Sequence, residues 1–351
     1  MSKLNPLTSP PKVDVAVIIG RWQIPHRGHE SLRRAALALA PKVIIVIGSA
    51  WHSRDPRNPF TMHERQQMIE AVLTPEERAR VIFLPVRDYY DNERWQAAVQ
   101  AGVAAHTDRA DRITLVGFKK PDTEGYLDIF TGWALHEVTQ EHDISATDLR
   151  RVYFETEDRE TALTLIGNYV EPGVVQYLEA WAKLPAYRQC AAEHKAVAAY
   201  RKEWPAPYYL TADSVLQFQD RILLVKRKDV IGRNLFALPG GFCDPNEQFY
   251  TAAVRELAEE THYRPLASRL KAALKGKAVF EHAQRSPRGR LVTMAFHFDF
   301  GNLAFPEVRP QNCEIKALEW VPIADLVGME DQLFEDHACI LDHFLGIFGK
   351  P

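Results

Sequence analysis

Residues 255–260 read Arg-Glu-Leu-Ala-Glu-Glu, which puts Glu256, Glu259 and Glu260 at i, i+3 and i+4. On a helix this spacing gathers three carboxylates on one face. Carboxylates held that close repel one another unless a cation lies among them, and hard oxygen ligands select Mg²⁺ or Mn²⁺. Arg255 is placed to pair with Glu247 or a neighbouring carboxylate and so hold the cluster in shape. Phe249, Ala253 and Leu257, four apart, supply the buried stripe of the same helix. An isolated E-x-x-E-E run is most simply a solvated acidic face, so the wider context must carry the metal reading.

A second group lies near the start of the chain, in GRWQIPHRGHESLRR, Gly20 to Arg34. His26 and His29 sit where an apolar run hands over to a helical pattern. A helix starting near Gly28 aims free N–H groups and a positive dipole end at that turn, which makes an anion site before any side chain is counted. Gly28 permits close backbone approach, the imidazoles can donate to phosphate oxygens, and Arg21 adds a fork of donors. In ISATDLR, Ser145 or Thr147 can cap a further helix whose Arg150 reaches the same anion. In RDYYDNERW, Asn92 and Trp95 share a helical face. Amide plus indole suits a flat ring bearing a carboxamide, although a core tryptophan is the commoner use.

The elements that must position these residues fall into two groups. Over the first half, apolar β-branched runs (VDVAVIIG, KVIIVIGSA, VIFLPV, RITLVG) alternate with helical stretches (HESLRRAALALA, TMHERQQMIEAVL, NERWQAAVQAGVAAH). Continuous rather than alternating apolar strands, each followed by a helix, predict a doubly wound parallel sheet whose ligands bind beyond the carboxyl ends of the strands. After about Pro172 come two helical stretches, then WPAP, then short β-rich runs interrupted by the glutamate-bearing helix. The expected organisation is an α/β domain over 12–184, a helical linker over 185–204 and an α+β domain over 205–351. The 351 residues carry a formal charge of −3, which argues against a broad nucleic-acid or anionic-membrane footprint. Cys190, Cys243, Cys313 and Cys339 form no CxxC pair, so the expectation is a reducing, cytoplasmic setting without a disulfide framework or zinc site. The amino-terminal stretch has no apolar signal core, and no stretch is long and apolar enough to span a bilayer.

Two family resemblances follow. G-R-x-Q-x-x-H-x-G-H from Gly20 to His29, with S-x-T-x-x-R from Ser145 to Arg150, resembles the nucleotidyltransferase superfamily. NPFTMHER and DNERW narrow this to the archaeal-type nicotinamide mononucleotide (NMN) adenylyltransferases. Trp22 stands where phenylalanine or methionine is common. The resemblance implies that His26, His29, Arg21 and Arg150 meet the ATP phosphates, with Asn92 and Trp95 on the nicotinamide. It implies further substrate contacts at Gly20, Gln23, Gly28, Asn58, Arg65, Gly117, Ser145 and Thr147. The implied reaction converts ATP and NMN to NAD and pyrophosphate.

Gly241 to Tyr263 reads G-x5-E-x7-R-E-L-x-E-E-x-H-Y and resembles the Nudix box, with His262 where the family has glycine. That implies metal ligation by Glu256, Glu259, Glu260 and Gly240, structural roles for Gly241, Glu247 and Arg255, and hydrolysis of a nucleoside diphosphate derivative. The base is left open among Glu281, Glu307 and Glu314, and the histidine raises the question of a helix end that prefers positive φ. The fold class expected is therefore a Rossmann-like nucleotidyltransferase sheet followed by a Nudix fold. The pair resembles the bifunctional NMN adenylyltransferase/Nudix hydrolases of bacteria, whose second half typically cleaves ADP-ribose to AMP and ribose 5-phosphate. The partners implied are ATP, NMN, NAD and ADP-ribose, with Mg²⁺ or Mn²⁺ at both sites and neither nucleic acid nor membrane. Self-association into a homo-oligomer is left open. The alternatives are an inactive ADP-ribose-sensing Nudix half, or one acting on another nucleoside diphosphate derivative.

Overall fold

The computed structural model describes residues 13–118, 129–139, 145–205, 208–311 and 314–349. By internal contacts the chain forms two units, one of Met1–Ala50 and Met62–Trp181, the other of Trp51–Thr61 and Ala182–Pro351.

The first unit contains β1 (Val15–Gly20), α1 (Arg27–Leu39), β2 (Lys42–Ile47), α2 (Met62–Glu70), α3 (Pro75–Arg78) and β3 (Val81–Pro85). It continues with α4 (Asn92–Ala104), β4 (Ile113–Gly117), β5 (Ala134–Glu137), α5 (Ala146–Glu155), α6 (Arg159–Gly167) and α7 (Pro172–Trp181). The sheet order is β3-β2-β1-β4-β5 and every pairing is parallel. Alternate residues of β1 feed opposite faces. Ala16 and Ile18 join Val43, Ile45 and the α1 residues Leu32, Ala36 and Leu37; Val15, Val17 and Ile19 join Ile44, Val46 and the α4 residues Val99 and Val103. Both faces are thus covered, which is why the strands are apolar throughout. The chain leaves β1 toward β2 on one side and reaches β4 on the other, so the crevice at the β1/β4 carboxyl ends is the topological switch point. The fifth strand was not expected. β5, Ala-Leu-His-Glu, is an edge strand with no buried residue, so no apolar run marked it.

The second unit contains α8 (Pro185–Glu203), β6 (Tyr209–Phe218), β7 (Arg221–Arg227), β8 (Phe236–Ala237), β9 (Gly240–Phe242) and α9 (Phe249–Thr261). Then come α10 (Ala267–Ala273), β10 (Leu274–Phe280), β11 (Leu291–Asp299), β12 (Ile315–Pro322), a 3-10 segment (Ile323–Gln332) and α11 (His337–Leu345). The mixed sheet runs β10-β11-β6-β7-β12, with β8 on β7 and β9 on β6. α9 buries Ala252, Ala253 and Leu257 against Ala212, Leu216 and Leu223, while α11 brings Ile340 and Leu341 to Val215, Leu224 and Ala295. The stretch expected as a helical linker is α8, and its contacts place it inside this unit. Its buried Glu193 accepts the Gly232 amide at 2.9 Å. Its carboxyl is pushed up to about 7, mainly by desolvation. Among the described residues, no helix is long and apolar enough to cross a membrane.

Candidate active sites

The first site is built at the end of β1. His26 is extended, and α1 starts at Arg27 with His26 as its cap. The two histidines cap the helix reciprocally. The Gly28 amide donates to His26 Nδ1 at 3.2 Å, and the His26 amide donates to His29 Nδ1 at 3.3 Å. Each Nδ1 is therefore an acceptor, so the neutral rings carry their proton on Nε2. The rings lie 4.0 Å apart, and Trp22 covers His29 at 4.5 Å. Trp22 holds a left-handed φ of 57°, a strained conformation for an aromatic residue, and its indole N–H anchors to the Val46 carbonyl at 3.0 Å. Burial, then Arg150, lowers His26 to about 4; burial, then His26, lowers His29 well below the ordinary imidazole value. Both are neutral hydrogen-bond donors at pH 7.

Two buried arginines hold the surrounding backbone. Arg150 donates to the Gln23 carbonyl at 2.7 Å and to Thr147 Oγ1 at 3.1 Å. Arg65 donates to the carbonyls of Arg21, Gly48 and Ser49 at 2.6, 2.6 and 2.9 Å. Both were expected as substrate contacts; in the structure their guanidiniums also shape the turns at the ends of β1 and β2. Arg21 is exposed there, and Gln23 is buried. A Cβ on Gly20 would stand 3.2 Å from Trp22 Nε1, and one on Gly28 would stand 3.1 Å from the His26 ring, so Gly20 makes room for the indole and Gly28 for the imidazole. Gly117 ends β4, and Ser145 Oγ caps α5 by accepting the Thr147 amide at 3.2 Å. Asn92 opens α4, exposed; Trp95, half-buried, meets Phe130 edge-on at 5.8 Å. Asn58 was expected as a substrate contact. It lies in the segment that belongs to the second unit, buried against Asp55, which accepts its backbone amide at 2.6 Å.

The second site is a cavity of about 690 Å³ lined by Glu256, Glu259, Glu260, Gly240, Gly241, Arg255 and Glu314, with Asp213, Arg285 and Arg288 on its walls. Arg255 sits where the sequence placed it. It donates to Glu247 at 3.0 and 2.8 Å, to Glu256 at 2.8 Å and to Glu259 at 3.2 Å. Glu260 accepts the Gly240 amide at 3.0 Å. The glycine pair makes room for acids: a Cβ on Gly241 would lie 2.5 Å from the Glu256 carboxylate, and one on Gly240 would lie 2.1 Å from Asp213 Oδ1. Burial is the main cause that raises Glu260 to about 8, Asp213 to about 7 and Glu256 above its usual range. Among the described residues no three such side chains stand ready around an ion, because Arg255 ties Glu256 and Glu259 while Glu260 turns to Gly240. The donor set, all hard oxygen in a glycine-cleared hollow, nonetheless fits a divalent cation.

Of the three open acids, Glu314 lines the cavity. Sequence reading missed Asp213, Arg285, Arg288 and Glu335. Arg285 pairs with Asp336 at 2.8 Å and Arg288 with Glu335 at 2.9 Å, both pairs largely buried. These residues come from β6, the loop before β11 and the turn before α11, so no local motif marked them. His262 takes φ 59° at the end of α9, the left-handed conformation the motif's glycine would favour.

Comparison with known proteins agrees with this geometry. A cytidylyltransferase-like family model matches residues 17–152, and a NUDIX domain model matches residues 209–344. The nicotinamide/nicotinic acid mononucleotide adenylyltransferase of Acinetobacter baylyi is 32% identical over 186 residues, 53% of this chain and 95% of that protein. The ADP-ribose pyrophosphatase of Methanocaldococcus jannaschii is 36% identical over 90 residues, 26% of this chain and half of that protein. A crystal structure of a bifunctional NMN adenylyltransferase/ADP ribose pyrophosphatase from Francisella tularensis superposes with TM-score 0.86 at 30% identity, covering 95% of this chain and 99% of that one. A second structure of that enzyme, complexed with AMP and a manganese ion, gives 0.87 at 29% identity, covering 96% and 100%. The chain belongs to the family of bifunctional NMN adenylyltransferase/ADP-ribose pyrophosphatases.

Proposed function

We propose that the first unit transfers the adenylyl group of ATP to NMN, and that the second hydrolyses ADP-ribose to AMP and ribose 5-phosphate. In the first reaction the 5′-phosphate of NMN attacks the α-phosphorus of ATP, the α–β bridging bond breaks, and pyrophosphate leaves. The nucleophile is already an anion, so no base is required. What the chain must supply is placement and compensation of charge on the phosphoryl oxygens. The reciprocal cap carries the reading, because it fixes both imidazoles with Nε2–H free to donate while the α1 amino terminus adds its dipole. Arg21 is an exposed cation on the same β1–α1 turn. Arg150 and Arg65 act by holding the turn. Asn92 and Trp95, on one face of α4, would receive the nicotinamide. Mg²⁺ at this site would arrive on the triphosphate.

In the second unit Glu256, Glu259 and Glu260, with Gly240, would hold Mg²⁺ or Mn²⁺. Bound there, a divalent cation polarises the diphosphate and acidifies water. Arg255 orients the glutamates by bonding Glu247, Glu256 and Glu259, and Glu314, on the cavity wall, would take the proton from water as its oxygen joins phosphorus and the diphosphate bridge breaks. Arg288, paired with Glu335 and with its guanidinium 6.0 Å from the Phe242 ring, would offer N–H donors to the diphosphate from the cavity wall.

The test is direct. Purified chain incubated with ATP, NMN and Mg²⁺ should yield NAD and pyrophosphate, and with ADP-ribose and Mg²⁺ should yield AMP and ribose 5-phosphate. An unreacted ADP-ribose pool with tight binding would instead select the sensor reading for the second unit.

A further inference from the structure

The NUDIX domain model matches residues 209–344, and α8 (Pro185–Glu203) precedes that segment. Even so, α8 supplies part of the cavity that holds the glutamates, because Ala196 and Tyr200 lie on its lining. Glu193, Ala196 and Tyr200 stand at i, i+3 and i+7, so they share one face of the helix. At one end of that face, buried Glu193 accepts the Gly232 amide at 2.9 Å. Gly232 holds a left-handed φ of 71°, and a Cβ there would overlap the Phe334 ring, so this turn needs its glycine. The turn runs from the end of β7 toward β8 and lines the cavity with Val230 and Ile231. Arg227 closes it from the other side. Its Nε donates to the Ile231 carbonyl at 3.2 Å, and its guanidinium lies 4.2 Å from the Phe334 ring centre. Helix and turn are thus tied directly, carboxylate to amide, into one wall.

At the other end of the face, the Tyr200 ring lies 6.0 Å from Tyr209, and Tyr209 lies 5.9 Å from Phe242. Tyr200 and Phe242 both line the cavity. This wall therefore differs in chemistry from the carboxylates of α9. It offers aromatic faces and the small aliphatic groups of Ala196, Val230 and Ile231, with Arg227 and Asp229 as a donor and an acceptor on the same turn. A diphosphate diester held by a cation at α9 has two organic ends. A sugar phosphate has no flat face and calls for a polar partner at each hydroxyl. A nucleobase is a flat ring that stacks on aromatic side chains, packs on aliphatic ones and meets donors and acceptors only at its edge.

We propose that α8 is a specificity wall of the hydrolase: Tyr200 and Ala196, together with the 229–232 turn that Glu193 anchors, receive the nucleobase of the nucleoside diphosphate substrate. Tyr200 meets the ring. Glu193 is a positioning residue that holds the turn against the helix. The proposal rests on the second unit binding a nucleoside diphosphate derivative.

Steady-state kinetics of ADP-ribose hydrolysis by the full chain at saturating Mg²⁺ tests it, with AMP and ribose 5-phosphate as inhibitors that each carry one half of the substrate. Tyr200→Ala should raise KM by about tenfold, the scale of one lost ring stack, with kcat within about twofold, because the nucleobase is remote from the bond that breaks. Inhibition by AMP should weaken about as much, and inhibition by ribose 5-phosphate should hold. Tyr200→Phe keeps the ring and should stay within about twofold of the original KM. Glu193→Ala should raise KM in the same direction, and Glu193→Gln, which keeps an acceptor for the Gly232 amide, should restore it. A fall in kcat with KM unmoved, or weaker inhibition by ribose 5-phosphate in place of AMP, overturns the proposal. Site-resolved hydrogen exchange gives a reading that needs no turnover: AMP with Mg²⁺ should protect amides around Ala196–Tyr200, and ribose 5-phosphate should not. Protection by ribose 5-phosphate alone, or by neither, also overturns it. AMP protection in a chain that leaves ADP-ribose whole would remove hydrolysis from the second unit and leave the nucleobase wall standing.

Discussion

The two sites meet the same physical problem with opposite results. In each, burial pushes titratable groups toward their neutral forms. His26 and His29 are driven below the ordinary imidazole range, and Glu260, Asp213 and Glu256 are driven above the carboxylate range. For the imidazoles the neutral form is the working one, a fixed Nε2–H donor aimed by the helix cap. For the carboxylates it is the idle one, since a protonated glutamate is a poor metal ligand. A donor site for a polyanion can be preorganised by dehydration. An acceptor site for a cation is completed by the cation itself.

The sharpest break in that comparison is genetic. His29→Ala should lower NAD synthesis by about 10²- to 10³-fold, the usual cost of a lost charge-stabilising donor, and leave ADP-ribose hydrolysis at its original rate. Glu260→Gln should lower hydrolysis by about a thousandfold, matching the several kcal/mol that a lost cation removes, and leave NAD synthesis alone. A single substitution that stops both reactions in a folded chain would end the two-site account.

A smaller effect sharpens the first site. Trp95→Ala should raise KM for NMN by about tenfold, the scale of one lost aromatic stack, and move KM for ATP much less. Trp95→Phe should recover most of the loss. Equal effects on both substrates would show that Trp95 serves packing against Phe130 instead.

The smallest effect lies in the pH dependence of stability with divalent cations chelated. Native His26 gives up its proton near pH 4, whereas an unfolded imidazole holds it up to about 6.5. Its contribution is complete above about pH 6.5 and is lost as pH falls toward 4. In the second unit, native Glu260 keeps its proton up to about 8 and Asp213 and Glu193 up to about 7. Unfolded carboxylates release theirs near 4, so this contribution is complete below about pH 4 and is lost as pH rises through 7 to 8. His337, lowered by burial to about 3, opposes that trend only below about pH 6.5. Between pH 6.5 and 8 the second unit should therefore lose protection against hydrogen exchange while the first holds steady, and added Mg²⁺ should flatten the slope. Parallel slopes in both units would contradict the burial argument.

The primary structure alone laid down a great deal. Two apolar stretches such as VAVIIG and KVIIVI announce a parallel sheet because central strands are dry on both faces. The glutamates and Arg255 are legible because a helix imposes its own spacing, so i, i+3 and i+4 are neighbours before any tertiary contact forms. His26 and His29 are legible for the same reason, as cap and third residue of one helix. Folding in three dimensions decided the rest. Arg65 and Arg150 read as substrate arginines, and spacing could not show that their guanidiniums also reach backbone carbonyls of the surrounding turns, because that depends on which loops enclose them. β5 and β10 stayed hidden because edge strands need no apolar run, and α8 joined the second unit through the burial of Glu193. Asp213, Arg285, Arg288 and Glu335 line one cavity from positions far apart along the chain, and His262 finds Arg309 and Gln311 across 47 and 49 residues. Local spacing fixes what one helix or one turn can present; only the closed chain decides which of those groups are left to meet a substrate.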